Sequence, residues 1–244
     1  MALFDALLEL ADDHLVLGHR VSEWCGHAPM LEEDLAMPNM ALDVIGTARS
    51  LYDYAGKVEG AGRDEDDLAY LRGEREYRNL LLVERPNEDF AHTMLRQLYF
   101  AAFMHPYWTA ALTSEDETIQ GIAGKAVKEM AYHIRHAGEW VVRLGDGTEE
   151  SARRMADAVQ SLSIYVGELF EEGAAEGVDV LPSRAAIRDE WLATVKRVFD
   201  EAGLTFEDSK FSQTGGRSGV HGEGLGHMLA EMQSVHRAHP GATW

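Results

Sequence analysis

Apolar residues recur at three- and four-residue intervals along almost the whole chain, and no sustained apolar–polar alternation is present. That periodicity predicts helices and no strands. A first helix is expected from about residue 3 to about residue 27, with one stripe formed by Leu7, Leu10, Ala11, His14, Gly18, Val21 and Cys25. Leu8, Leu15 and Val16 add a second apolar side, so this helix belongs in the interior of a bundle. Pro29 is its expected stop. A second helix begins near Glu32 and carries Leu35, Ala41, Leu42, Val44, Ile45, Ala48 and Leu51. Pro38 either kinks it or marks where regular helix begins, and Gly56 is the expected end. Residues 57–88 are the least regular stretch, with a short helix over Asp66–Arg72 inside a connection long enough to cross a bundle end to end.

A third helix follows Pro86–Asn87, with Glu88 and Asp89 in its first turn, where the helix dipole favours acids. Phe90, Met94, Leu95, Leu98 and Ala102 form its stripe, and Pro106 is expected to kink it. A fourth opens with Ser114 as cap and runs to stop signals at Gly145 and Gly147. A fifth is expected from Thr148 to about Glu172, a sixth after Pro182–Ser183, and a last one over about Leu225–Arg237 behind a glycine-rich loop. The expected fold is a single all-α domain spanning residues 1–244. Its first four long helices form a bundle, and two or three further C-terminal helices pack beside it.

Composition narrows the function classes. A net charge of −20 repels phosphate backbones and argues against a nucleic-acid partner. No run of 18 apolar residues exists, so no membrane-spanning helix is predicted. Cys25 is the only cysteine and the N-terminus carries no basic leader, which together favour the cytoplasm.

A helical bundle rich in carboxylates and histidines is how a buried two-iron site is built, with a Glu from each of two helices and a Glu-x-x-His pair from each of the other two. This sequence contains no Glu-x-x-His; the helices offer Asp43-x-x-Gly46 and Glu129-x-x-Tyr132 instead, and the one Asp-x-x-His, Asp89 to His92, reads as a helix first turn. Glu129, His133 and His136 share one face of the fourth helix. With a carboxylate from a neighbouring helix they could ligate zinc or iron; the competing reading is a hydrogen-bonded polar row. Asp43 is either one ligand or a member of a buried polar network. Glu23 shares a face with His19 and His27 and is a further candidate. His14 reads as a core histidine. Arg217, within Gly215–Gly219 ahead of a helix, resembles an anion nest that could touch a phosphate-bearing coenzyme A ester.

LGHRVSEWCGHAPMLEEDLAMPNMALDVIGTARSLYDY, DEDDLAYLRGEREYRNLLLVERPNEDFAHTMLRQ, KEMAYHIRHAGEWVVRLGDGTEES and GVHGEGLGHMLAEMQSVHRAHPGATW, in that order, resemble the PaaC family. The resemblance implies a ferritin-like, non-catalytic subunit of a multicomponent phenylacetyl-coenzyme A ring 1,2-epoxidase. It implies a homologous catalytic partner carrying the iron pair, other small subunits, and a separate reductase with NADPH, flavin and an iron–sulfur cluster. No cofactor is implied in this chain itself. Glu23, Asp43, Glu129, His133 and His136 then become candidates for a vestigial metal site, with Gly46 and Tyr132 standing where histidines would be. Two other functions stay open: a two-iron oxygenase active in its own right on that unusual ligand set, and a helical acyl-coenzyme A binding module using the Arg217 loop.

Overall fold

A computed structural model describes residues 1–206 and 209–242. Those residues form α1 (Ala2–Ser22), α2 (Leu31–Glu59), short α3 (Glu65–Tyr70) and α4 (Leu81–Glu84), then α5 (Phe90–Ala111), α6 (Glu117–Gly145), α7 (Glu149–Leu162), α8 (Arg188–Glu201), α9 (Glu223–Met232) and α10 (Ser234–Ala238). Short 3-10 turns fill several connections, and no strand occurs among the described residues. α1 packs on α2, α5 on α6, and α2 lies against α6, which closes the all-α, ferritin-like bundle. α7 and α8 pack on α5 and α6 as the added helices. The irregular stretch between α2 and α5 is the bundle crossover.

α5 sits deepest because it is apolar nearly all round: Leu95, Leu98, Tyr99, Phe100, Phe103, Met104, Tyr107 and Trp108 are all fully buried. Pro106 is accommodated within α5, and Pro38 within α2, without interrupting either helix. Pro38 is half-buried in the third turn of α2, where it leaves the carbonyl four residues earlier, that of Asp34, without its helical donor.

Four expected boundaries move. α1 ends at Ser22 rather than at Pro29, because residues 23–27 tighten into i→i+3 turns, with Trp24 N–H donating to Val21 O and His27 N–H to Trp24 O, and Gly26 takes φ +80°. Cys25 therefore leaves the stripe and is exposed. Gly56 does not end α2; it lies inside the helix because a Cβ there would collide with the Arg63 carbonyl, and the left-handed Gly60 ends α2 instead. Asp116, not Ser114, caps α6, its carboxylate accepting from Thr118 N–H at 2.9 Å and Ile119 N–H at 3.0 Å. The helix after Thr148 closes at Leu162, well short of Glu172, and 3-10 turns follow.

One face of α1 organises the irregular segments. Glu9, Asp12 and Asp13 lie at i, i+3 and i+4, share a face, and are all buried. Glu9 accepts from Arg184 at 2.7 Å and from Ala174 N–H at 3.0 Å. Asp12 is paired with Arg72 and accepts from the Tyr52 hydroxyl at 2.5 Å and Arg78 N–H at 2.7 Å. Asp13 holds Arg217 through two bonds of 2.9 and 2.8 Å and accepts from Leu80 N–H at 2.7 Å. Every oxygen of the three carboxylates is engaged, and the crossover and the segments bearing Arg184 and Arg217 are tied to one helix.

Candidate functional site: a polar row inside the bundle

The four bundle helices bring a second polar group together. His133 on α6 is fully buried. Its Nε2 lies 3.1 Å from Asp43 Oδ2 on α2, and its Nδ1 lies 2.9 Å from Gln97 Nε2 on α5. With the amide nitrogen facing it, Nδ1 accepts and Nε2 donates to Asp43, so both ring nitrogens are in use. Glu129 sits one turn before His133, 3.3 Å from Lys125 Nζ. Burial pushes the Glu129 carboxyl above its ordinary range, and the nearby charge of Asp43 adds to the rise. Lys125 also reaches α2: a Cβ on Gly46 would lie 3.2 Å from its ammonium. Further along, His136 Nε2 approaches Glu33 Oε2 to 2.9 Å, close enough for charge attraction but without hydrogen-bond alignment.

His14 completes the row from α1. Its Nδ1 donates to Leu10 O at 2.7 Å, its ring stands edge-on to Phe100, and Nε2 has no hydrogen-bond partner. Burial first, and then the charge of His133, lower its pKa to about 4. Half of the core-histidine expectation is therefore met. Glu129 Oε2, Glu33 Oε2 and Gln97 Oε1 are also buried without an aligned partner.

The expected ligand register is shifted. Tyr132 is 38 % exposed and does not occupy a histidine position inside the bundle. The inward i, i+3 pair on α6 is Met130 and His133, both fully buried. A thioether thus stands where an iron site would need a carboxylate. Glu23 is not part of the group: it bonds Arg20 at 2.8 Å and Asn87 at 2.9 Å at the end of α1. Among the described residues no set of three or more His, Cys, Asp or Glu side chains is arranged to hold a metal ion. The residues present do not fit a two-iron centre.

Arg217 is likewise not available to an external phosphate. It is buried and committed to Asp13 and to the carbonyls of Glu9 and Arg78. The glycine loop does form a nest, but the anion in it is internal: Glu168 Oε1 accepts from Gly215 N–H at 2.9 Å and Gly216 N–H at 2.8 Å. Sequence reading missed Gln97 and the partners of Arg217. The available signals were one primary amide within the apolar run of α5 and three acids on one face of α1.

The PaaA_PaaC family, described as phenylacetic acid catabolic protein, matches residues 1–244. The chain belongs to this family. It is also 43 % identical, over 243 residues and 97 % of both chains, to the C-type subunit of the 1,2-phenylacetyl-CoA epoxidase of Escherichia coli (strain K12). The long motifs that carried the resemblance lie within the family match. Among the described residues, no helix of this PaaA_PaaC member is long and apolar enough to cross a membrane.

Proposed function

We propose that this chain is a metal-free structural subunit of a phenylacetyl-CoA epoxidase, pairing with a homologous catalytic partner that carries the iron pair. The reading rests on one observation. At the centre of the bundle, buried Met130 stands at the position before His133 where a Glu-x-x-His pair would place its carboxylate, and both nitrogens of His133 are bound by protein groups. Iron would have to displace Gln97 and Asp43 from the imidazole and would find no carboxylate at the partner position. The similarity to a C-type epoxidase subunit supports the assembly. A catalytic bundle needs ligands held to within a fraction of an ångström. A second bundle packed against it supplies that rigidity without metal of its own. Electrons would reach the partner from NADPH through a separate flavin and iron–sulfur reductase.

Metal analysis of the chain purified alone and in complex, after growth with added iron, tests the reading. The expected result is iron that tracks the partner and is absent from the isolated chain. About two irons per isolated chain would instead make it a two-iron oxygenase in its own right.

A further inference from the structure

His221 stands two residues ahead of α9, and its side chain is completely covered. Its Nδ1 lies 2.8 Å from Glu84 Oε2 on α4, and its Nε2 lies 3.0 Å from the Tyr77 carbonyl oxygen. An ionised carboxylate and a carbonyl only accept hydrogen bonds. A neutral imidazole has one N–H and can serve one of them, whereas the imidazolium serves both. Glu84 calls for the same charge. Its carboxylate is buried, and the bonds to it come from Asn79 Nδ2 at 3.0 Å, Gly222 N–H at 2.6 Å and His221. Of these three donors only the imidazole can carry a positive charge, which a buried carboxylate needs.

The other charged groups around His221 leave this assignment standing. Asp12 of α1 adds attraction. Arg20 of α1 is spent on the carbonyls of Glu84 and Gly224 and on Glu23. Arg78 donates to the carbonyls of Arg75 and Tyr77, Arg85 lies over the Tyr165 ring, and Arg217 is held by Asp13. Glu168 is occupied by the Gly215 and Gly216 N–H groups, Glu74 lies against Gly226, and Glu223 is exposed. Burial works against the imidazolium, but the bonds to Glu84 and Tyr77 outweigh it and hold the His221 pKa above its ordinary 6.5. A cavity of about 90 Å³ lies against Glu84, Tyr165, Gln213 and His221. It is roomy enough for water and gives the ring a path for its proton.

What His221 fastens is a small unit at the edge of the fold. Gln233 donates to the carbonyls of Ala69 and Arg72, and Arg237 to those of Tyr70 and Arg72. α9 and α10 are thereby laid over the end of α3, with Leu225 and Leu229 buried beneath them. Two short helices with so little apolar anchorage form a unit that can open without the bundle. We propose that His221 is a pH-sensitive latch: as the imidazolium it fastens α9 and α10 to the crossover, and on losing its proton it lets them open while the bundle stays folded. In the open unit the ring returns to an ordinary histidine. The contribution of the latch is therefore complete below pH 6.5 and is lost as pH rises through the higher closed-state value. Between the two values the opening equilibrium grows about tenfold per pH unit.

The test uses the full chain between about pH 6 and about pH 9.5, a range that spans histidine titration on both sides. Long-range nitrogen–proton NMR reads the protonation of both His221 nitrogens. Hydrogen exchange, corrected for the intrinsic rate at each pH, reads the opening of residues 223–238 against α5. Both nitrogens are expected to be protonated at neutral pH. Protection of 223–238 should fall with rising pH and level off above the His221 midpoint, while α5 does not change. Glu84→Gln should move the midpoint and the exchange profile to lower pH together. His221→Gln should flatten the profile at the less protected level, and His227→Gln, at another histidine of α9, should leave it intact. A single protonated nitrogen at pH 6.5 overturns the proposal. So does a His221 titration that leaves exchange of 223–238 unmoved, since the charge then fastens nothing. Parallel loss of protection in α5 overturns it as well, because the bundle itself would be opening.

Discussion

The two groups of buried polar residues have opposite states of satisfaction. On α1, the six oxygens of Glu9, Asp12 and Asp13 all accept hydrogen bonds, and each acid has its own arginine. In the row between α2, α5 and α6, Glu33, Gln97, Glu129 and His136 keep buried atoms without aligned partners, and so does His14 of α1. Unsatisfied buried groups are costly, so a row of them is not explained by stability. The α1 group has a structural purpose, since its arginines come from segments with little regular structure. The row links α2, α5 and α6 through His133 alone and leaves its other buried groups unpaired. The difference separates a set of locks from a row whose polar groups are only partly matched.

Breaking a lock is expected to have the largest effect. Arg217→Met leaves Asp13 buried and unpaired and should cost about 3–5 kcal/mol in urea denaturation. Burial already raises the Asp13 pKa, outweighing the Arg217 charge, so the pair itself is not strongly stabilising. The double variant Asp13→Leu/Arg217→Met should recover most of the loss; no recovery would mean that Arg217 acts through its carbonyl contacts instead. The row is tested next through pH. The His14 pKa falls from 6.5 in the unfolded chain to about 4 in the folded one. Only the unfolded chain takes up the proton between those values, so stability present above pH 6.5 is lost as pH falls toward about 4. The full loss is about 3 kcal/mol. His14→Leu should remove that part of the acid slope, and an unchanged slope would show that His14 titrates normally.

The smallest effects distinguish the acids directly. Glu129→Gln removes a carboxyl that burial and Asp43 disfavour, and stability should change by less than about 1 kcal/mol. Glu9→Gln, which weakens a buried charge pair with Arg184, should cost clearly more under the same conditions. Equal costs would erase the distinction between the two groups. Lys125→Met should raise the Glu129 pKa further, read by carbon NMR titration, because the lysine is the nearest cation lowering it. A fall would mean that another group holds Glu129.

Much of the fold was legible because bundle helices announce themselves by period. The stripes of α1, α5 and α6, and the irregular crossover, follow from apolar spacing alone, whereas Leu35 and Leu42 of the expected α2 stripe are exposed. The errors were local. Gly56 read as a stop because sequence shows a missing Cβ but not the Arg63 carbonyl packed against it. Cys25 read as core because the turns after Ser22 break the helical phase.

The candidate site was legible only in part: Asp43, Glu129, His133 and His136 lie along one row, but Glu23 lies elsewhere. Tyr132 faces outward, and Gln97 and Glu33 enter where no ligand was sought. The sequence by itself determined that the chain is an all-helical bundle without a Glu-x-x-His pair, because periodicity and motif are local properties of the chain. Only the tertiary structure decided that Met130 faces inward beside His133, that Arg217 belongs to Asp13, and that three leucines of α2 are left uncovered. Each of these depends on which helix lies opposite, and helix rotation is set by packing against neighbours distant in sequence.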